Sequence, residues 1–230
     1  MNFIALQNSY DDVQIGLFKA DPSSEKPAQL IDQQSINKIN ASKLLISSID
    51  QFFTRHRVTL SDIPFIAVNH GPGPFTTLRV VIATANGISF AAGTPLIGVD
   101  ALQAVAHEWH PEASGITAIL FNGFADDAYF LITHNGTTLL RGCKNIDLLL
   151  HDLKQLNQPV TFIGNGAALF KSAIIQALGT RAIIPDSYPS YSSIEQIGIL
   201  GYASWLSNKK GTNQLMPLYL KNHPVQNNIS

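Results

Sequence analysis

Strand and helix patterns that alternate, a restart of that alternation past mid-chain, and an apolar strand running into a glycine-proline turn predict an α/β protein of two similar lobes. The first lobe is expected over residues 1–105 and a smaller second lobe over 106–230. A helix near 193–209 is placed to pack back on the first lobe.

The elements follow in order. Residues 3–6 and 13–18 are apolar runs around a polar turn and read as a hairpin. Residues 28–31 read as a weaker third strand. Leu44, Leu45, Ile49, Phe52 and Phe53 recur at helical spacing over 40–56. Residues 63–68 form a buried strand by composition. In 75–93, Leu78, Val81, Ile82, Ala85, Ile88 and Ala92 mark one helix face; Pro74 suits its first turn and Gly93 its end. A strand at 96–99 and a helix at 101–109 complete the lobe.

The pattern then restarts with strands at 116–121, 127–133 and 138–141, the last two joined by an Asn135-Gly136 hairpin turn. A helix at 146–156, a strand at 160–163, a helix at 167–178 after Gly164-Asn-Gly166, and a strand at 182–184 follow. Ser192-Ser-Ile-Glu195 has capping-box spacing for a last helix ending near Lys209. The polar stretch 226–230 is expected to fray.

With 230 residues, 45% of them hydrophobic, the chain is long enough for a substantial core. A net charge of −1 gives no global basic field for nucleic acid. The single cysteine, Cys143, cannot staple the fold, and fits a reducing cytoplasm. The N-terminal residues have no signal-peptide pattern, and no run approaches the roughly 18 apolar residues of a membrane span. No membrane association is expected.

Gly71-Pro-Gly-Pro-Phe-Thr-Thr-Leu-Arg79 joins a strand to a helix. Gly71 and Gly73 leave backbone room, and the helix start with Thr76 could offer N–H groups to the phosphates of a nucleotide. The same residues equally make a tight structural turn. No Gly-Lys-Ser/Thr ending follows, so this is not a Walker A loop.

The run from Phe65 to Ala106, with Ala83-Thr-Ala-Asn-Gly-Ile-Ser-Phe90 and Gly93-Thr-Pro-Leu-Ile-Gly-Val-Asp-Ala-Leu102, resembles the TsaB (YeaZ) family. Weaker likeness extends to Ile4-Ala-Leu6, Gly164-Asn-Gly166 and Pro217-Leu-Tyr-Leu-Lys-Asn222. The resemblance implies two actin-like, RNase H-like (ASKHA) lobes, each a mixed sheet flanked by helices. It implies a cytoplasmic, non-catalytic subunit with no cofactor, which pairs with a TsaD-type threonylcarbamoyl transferase acting on tRNA adenosine. A TsaE-type ATPase docks on that pair, tRNA is met mainly through the complex, and a homodimer on the same face is an alternative assembly.

Several chemical groups are absent. TsaD-like proteins carry two metal-binding histidines where this chain has Ala101 and Val105. His107 and His110 are near, but Pro111 stands where a second His-Glu-x-x-His histidine would be. The first strand ends in Gln7-Asn8, where relatives that use ATP have a carboxylate; a neutral amide binds magnesium poorly. Pro74 removes a donor and Thr77 adds bulk in the loop. Asn122-Gly-Phe124 replaces the family's Asp-Ala-Arg. Asp126 and Asp127, on a strand, would point to opposite faces. Cys143 has no activating partner in sequence and reads as an incidental thiol.

These losses favour a surface as the product. Leu44, Ser48, Phe52, Arg79, Ile82, Ala83 and Asn86 are the partner-interface candidates, although the apolar ones also suit ordinary core. Competing readings are an active actin-fold kinase or transferase, which needs the missing carboxylate, and a plain homodimeric binding module.

Overall fold

The computed structural model describes residues 1–109, 115–208 and 210–221. The chain forms two compact units: Met1–Ala104 with Ser192–Leu218, and Val105–Tyr191 with the residues from Tyr219.

In the first unit, β1 (Asn2–Asn8), β2 (Asp12–Lys19) and β3 (Gln29–Asn37) form an antiparallel meander. Helix α1 (Ala41–His56) leads to β4 (Ile66–Gly71), α2 (Phe75–Ala92) and β5 (Leu96–Asp100), giving a sheet of order β3-β2-β1-β4-β5 with parallel β1–β4 and β4–β5 pairs. Strand β3 outruns the expected 28–31. Its alternating Gln, Asp and Ser residues look polar in sequence, yet an edge strand needs only one face covered, and pairing to β2 extends it to Asn37. Helix α3 (Ala101–Glu108) follows β5 and carries the chain from one unit to the next.

Strand β1 distributes its side chains by strict alternation. Ile4 and Leu6 join the core under α1 and α2; Phe3 and Ala5 face the other side of the sheet. The α1 helix is tied to β3 by His56 Nε2 to Asp32 Oδ2 (2.8 Å) and by Arg55 to the same oxygen (3.2 Å). The His56 hydrogen bond, helped by the Gln33 N–H and the charge on Arg55, holds the Asp32 carboxyl below its usual range. A depressed carboxyl contributes stability that is present above its unfolded pKa and lost as pH falls through the folded one. Asp32 is partly exposed, so the effect is at most ~1 kcal/mol. The melting-temperature gap between the native chain and Asp32→Asn should therefore persist at pH 6 and close as pH drops below about 4.

The second unit repeats the plan. Strands β6 (Ile116–Asn122), β7 (Asp127–His134) and β8 (Thr137–Asn145) form an antiparallel meander. Helix α4 (Ile146–Gln155), β9 (Val160–Ile163), α5 (Asn165–Leu169), α6 (Lys171–Leu178) and β10 (Ala182–Ile183) complete a sheet of order β10-β9-β6-β7-β8. The single helix expected over 167–178 is two, broken at Phe170, whose φ of −100° and ψ of 16° leave the helical region. Asp126 lies in the β6–β7 turn with φ of 62°, off the strand that Asp127 begins.

Helix α7 (Ile194–Asn208) returns to the first unit and packs on β1, β2, β4 and β5. Its cap is Ser193, whose Oγ accepts from the Gln196 N–H at 3.2 Å; the expected cap, Ser192, is buried and used otherwise. The anticipated end at Lys209 lies outside the described residues. Close approach to the sheet requires Gly198: a Cβ there would stand 2.2 Å from the Phe18 ring. Between helix and sheet, Phe18, Phe3, Phe65 and Trp205 form a stacked aromatic row with centroids 4.6–5.0 Å apart.

Candidate functional site

The loop after β4 is built inward. Gly71 takes φ of 112°, open to glycine but strained for other residues, and its N–H donates to Asn69 Oδ1 at 2.9 Å. Gly71 and Gly73 are buried, and the Leu218 N–H donates to the His70 carbonyl at 2.8 Å, laying the C-terminal segment beside the turn. Thr77 is buried and its hydroxyl donates to the Pro74 carbonyl at 3.2 Å, closing the first turn of α2 upon itself. Of the three nucleotide-site candidates only Thr76 is exposed.

The end of β1 is filled with amides. Gln7, 1% exposed, donates from Nε2 to the Ser192 carbonyl at 2.5 Å. The position that would carry a carboxylate in an ATP user instead fixes the entry to α7. Asn69 Nδ2 donates to the Asn8 carbonyl at 3.4 Å. The Asn8 side chain is fully buried, and among the described residues neither its nitrogen nor its oxygen meets a hydrogen-bond partner. Among the described residues no cluster of three or more His, Cys, Asp or Glu side chains could hold a metal ion. Ala101 and Val105 are fully buried and carry no ligating group, and His110 lies outside the described residues. The amides at the end of β1 share this end of the sheet with His70 on β4 and Asp100 on β5, and the Asp100 carboxylate caps the start of α3 by accepting from the Leu102 N–H at 2.8 Å.

The helix pair α1–α2 differs. Helix α2 buries Thr77, Leu78, Val81, Ile82, Ala85 and Ser89. Its outward stripe is Thr76, Arg79, Ala83, Gly87 and Phe90, all exposed, with Arg79 the one charged residue in the helix. Phe90 is 93% exposed, and Leu44 and Ile46 of α1 are 39% and 59% exposed. Beside the stripe, α1, the turn after it and Ile88 of α2 enclose an apolar groove of about 630 Å³, lined by Ile46, Ile49, Phe53, Val58 and Leu60 with Asp50 and Arg57. Helix α2 is also long and apolar enough to cross a membrane, with mean hydropathy 1.3, which the sequence reading did not anticipate. One third of it is buried, with Leu78, Val81, Ile82 and Ala85 packed into the sheet core.

The seven interface candidates divide. Leu44, Arg79 and Ala83 face outward. Phe52 (0% exposed), Ile82 (4%) and Ser48 (8%) are packed inside the first unit. Helical spacing identified their stripe as apolar, and that stripe is core. Asn86 is committed to its own chain: its Oδ1 accepts from the Leu215 N–H at 2.8 Å and its Nδ2 donates to the Leu215 carbonyl at 3.0 Å. That two-bond clip, with a Thr212–Leu96 bridge, straps residues 212–218 along α2 and β5. Phe90 and Ile46 are exposed on the same helix pair; Phe90 follows Ala83 by seven residues, two turns on the same face, a spacing readable in the sequence.

In the second unit, Cys143 lies opposite Tyr129 on β7 and β8. Burial pushes the thiol up, and the nearby Asp127 carboxylate adds to the shift. A thiolate nucleophile needs the reverse. Alkylation of Cys143 by iodoacetamide at pH 7 should run several-fold slower than for an unfolded control of the same chain, read by mass spectrometry.

The geometry defines a class: a two-unit actin-like α/β protein whose first strand ends in buried amides and whose α1–α2 helix pair presents exposed apolar side chains. The chain belongs to the TsaD family, described as tRNA N6-adenosine threonylcarbamoyltransferase, whose model matches residues 35–224. It is 23% identical to the tRNA threonylcarbamoyladenosine biosynthesis protein TsaB of Bacillus subtilis (strain 168), over 96% of this chain and 94% of that protein. It is 33% identical to the tRNA N6-adenosine threonylcarbamoyltransferase of Solidesulfovibrio magneticus, over 44% of this chain and 30% of that enzyme. In fold it is similar to YeaZ from Pseudomonas aeruginosa, with a TM-score of 0.67 at 18% identity, covering 95% of this chain and 99% of the other.

Proposed function

We propose that this chain is a TsaB-type subunit that binds and supports a TsaD-type transferase in forming N6-threonylcarbamoyladenosine in tRNA, without catalysis of its own. The observation that carries the reading is the α2 stripe. A solvent face with a single charge in eighteen residues, ending in a phenylalanine 93% exposed, leaves apolar surface uncovered. Burying Phe90 alone is worth about 1.5–3 kcal/mol. A relative with a similar helix pair can supply the cover, and the small residues Ala83 and Gly87 allow close helix approach.

The filled strand end favours a partner's chemistry over the chain's own. Gln7 and Asn8 stand where a carboxylate would hold metal and phosphate, and Gln7 is already engaged with Ser192. An ATP-using kinase or transferase would need that carboxylate. The transferase pair would be cytoplasmic, would receive a TsaE-type ATPase, and would present the positive surface for tRNA, which this chain at net charge −1 does not provide. The same stripe could pair two copies of this chain, giving the homodimer as the competing occupant.

Co-expression with the TsaD-type protein of the same organism, followed by mass determination of the purified complex, tests the reading. A stable one-to-one complex is the expected result. A self-dimer alone, or binding of ATP by this chain in a calorimetric titration, would overturn it.

A further inference from the structure

Outside one bridge, residues 211–218 form neither helix nor strand, yet they are held to the first unit bond by bond. Thr212 and Leu96 exchange backbone hydrogen bonds of 2.9 and 2.8 Å at the outer edge of β5. A Cβ on Gly211 would stand 2.7 Å from the Leu96 carbonyl oxygen, so the segment lies directly on the strand. The Thr212 hydroxyl donates to the Gln214 carbonyl at 2.8 Å and accepts the Gln214 N–H at 3.2 Å. Leu215 is 7% exposed and belongs to the core under α1 and α2. The Asn86 clip fixes its backbone on the flank of α2, level with the gap between Ala83 and Phe90: Asn86 follows the one by three residues and precedes the other by four. With Leu215 turned inward, the next side chain, Met216, stands in water, 66% exposed.

Nothing in the strap's own bonding asks for methionine at this position, because its anchors are main chain, Asn86 and Leu215. The strap extends the apolar surface of α2 instead. Residues 211–218 carry no charge. Ile88, which lines the groove with α1, is two residues past Asn86 and so points across the helix from it. The α2 stripe therefore has α1 on one flank and the strap on the other. A stable interface takes about 800 Å² and roughly 20–30 residues from each partner. The outward stripe supplies five residues, of which Ala83 and Gly87 are small, so a partner seated on it must also cover a flank.

We propose that Met216 is part of the surface that receives the TsaD-type subunit, so that strap and α2 together form the docking face, with Asn86 as the positioning residue that holds Met216 at the edge of the stripe. The occupant is a helix of that subunit. Ala83 and Gly87 admit its backbone, and Met216 packs along its side, a contact that suits the adaptable methionine side chain and its enrichment at interfaces. The inference rests on the reading of this chain as a TsaB-type subunit.

The test is surface-plasmon binding of the TsaD-type subunit to the full chain and its variants, with melting temperatures alongside. Met216→Ala is expected to bind about tenfold more weakly while melting at the native temperature. Asn86→Ala should weaken binding in the native chain but add little once Met216 is already alanine, the signature of a residue that acts through another. Ile31→Ala, at an exposed site on β3 at the opposite edge of the sheet, should bind as the native chain does. Native affinity or a clear fall in melting temperature for Met216→Ala, full additivity of the Asn86 and Met216 losses, or an equal loss in Ile31→Ala would overturn the proposal. Ala83→Arg separates the two ideas. If the native chain binds, Ala83→Arg fails and Met216→Ala binds normally, the strap is not a contact and the subunit reading stands. If the native chain binds only itself or nothing, the subunit reading fails and takes Met216 with it.

Discussion

Exchanging Gln7 for glutamate is expected to lower the melting temperature of the first unit by roughly 6–12 °C at pH 8. Gln7 is 1% exposed and its Nε2 donates to the Ser192 carbonyl at 2.5 Å. A glutamate oxygen in that place faces the carbonyl oxygen with no hydrogen between them. Loss of a buried donor together with an unpaired buried charge costs about 3 kcal/mol, and ~1 kcal/mol moves a domain of this size by about 2–4 °C. The glutamate should remain protonated well above the usual carboxylate range, because only its acid form can donate to Ser192. A raised carboxyl loses stability as pH rises through its folded value, so the deficit should shrink at pH 5. Gln7→Leu, which removes the bond without adding charge, should lose less and show no such pH dependence. Scanning calorimetry of both variants at the two pH values decides the matter. A fully stable Gln7→Glu chain at pH 8 would mean that the amide is not fixing the entry to α7, and would weaken the case that this strand end has lost nucleotide chemistry to a structural task.

Replacing Ala83 by arginine is expected to abolish capture of the TsaD-type subunit, with at least a hundredfold loss of affinity and little change in melting temperature. Ala83 is exposed in the middle of the α2 stripe, between Arg79 and Gly87. Arginine is nearly as good a helix former as alanine, so the fold has no reason to suffer. In a close helix–helix contact, however, it places a long cation where two backbones must approach, with an unpaired charge to desolvate. Arginine at Gln155, an exposed site at the end of α4 in the other unit, is the control and should bind normally. Equal capture of both variants would remove the α2 stripe from the interface. Loss in both would point to a general effect of added charge.

Much of the architecture is legible in the residues. The strand–loop–helix unit of β4 and α2 follows from apolar Ile66–Val68, the glycine-proline turn, and helical spacing from Leu78 to Ala92. The restart of the pattern at Ile116 anticipates the second sheet. Other features needed neighbours. The length of β3 depends on β2 beside it, because its polar alternation carries little signal alone. The break at Phe170 follows no proline or glycine at that position. The cap of α7 is Ser193, one residue past the expected Ser192, whose carbonyl accepts from Gln7, 185 residues away in sequence.

The candidate site shows the same division more sharply. Its sequence identified α1 and α2 as apolar helices and marked the missing carboxylate at Gln7, since both are properties of residue type and spacing. It could not assign the faces. Phe52, Ile82 and Leu44 are equally apolar, and only packing against the sheet decides that the first two are interior while Leu44 reaches solvent. Asn86 has an amide that suits a partner as well as a strap, and the fold gives it to Leu215. Periodicity fixes which residues share a helix face. Which face meets the core depends on where sheet, strap and neighbouring helix remove water, and that is a property of the assembled chain.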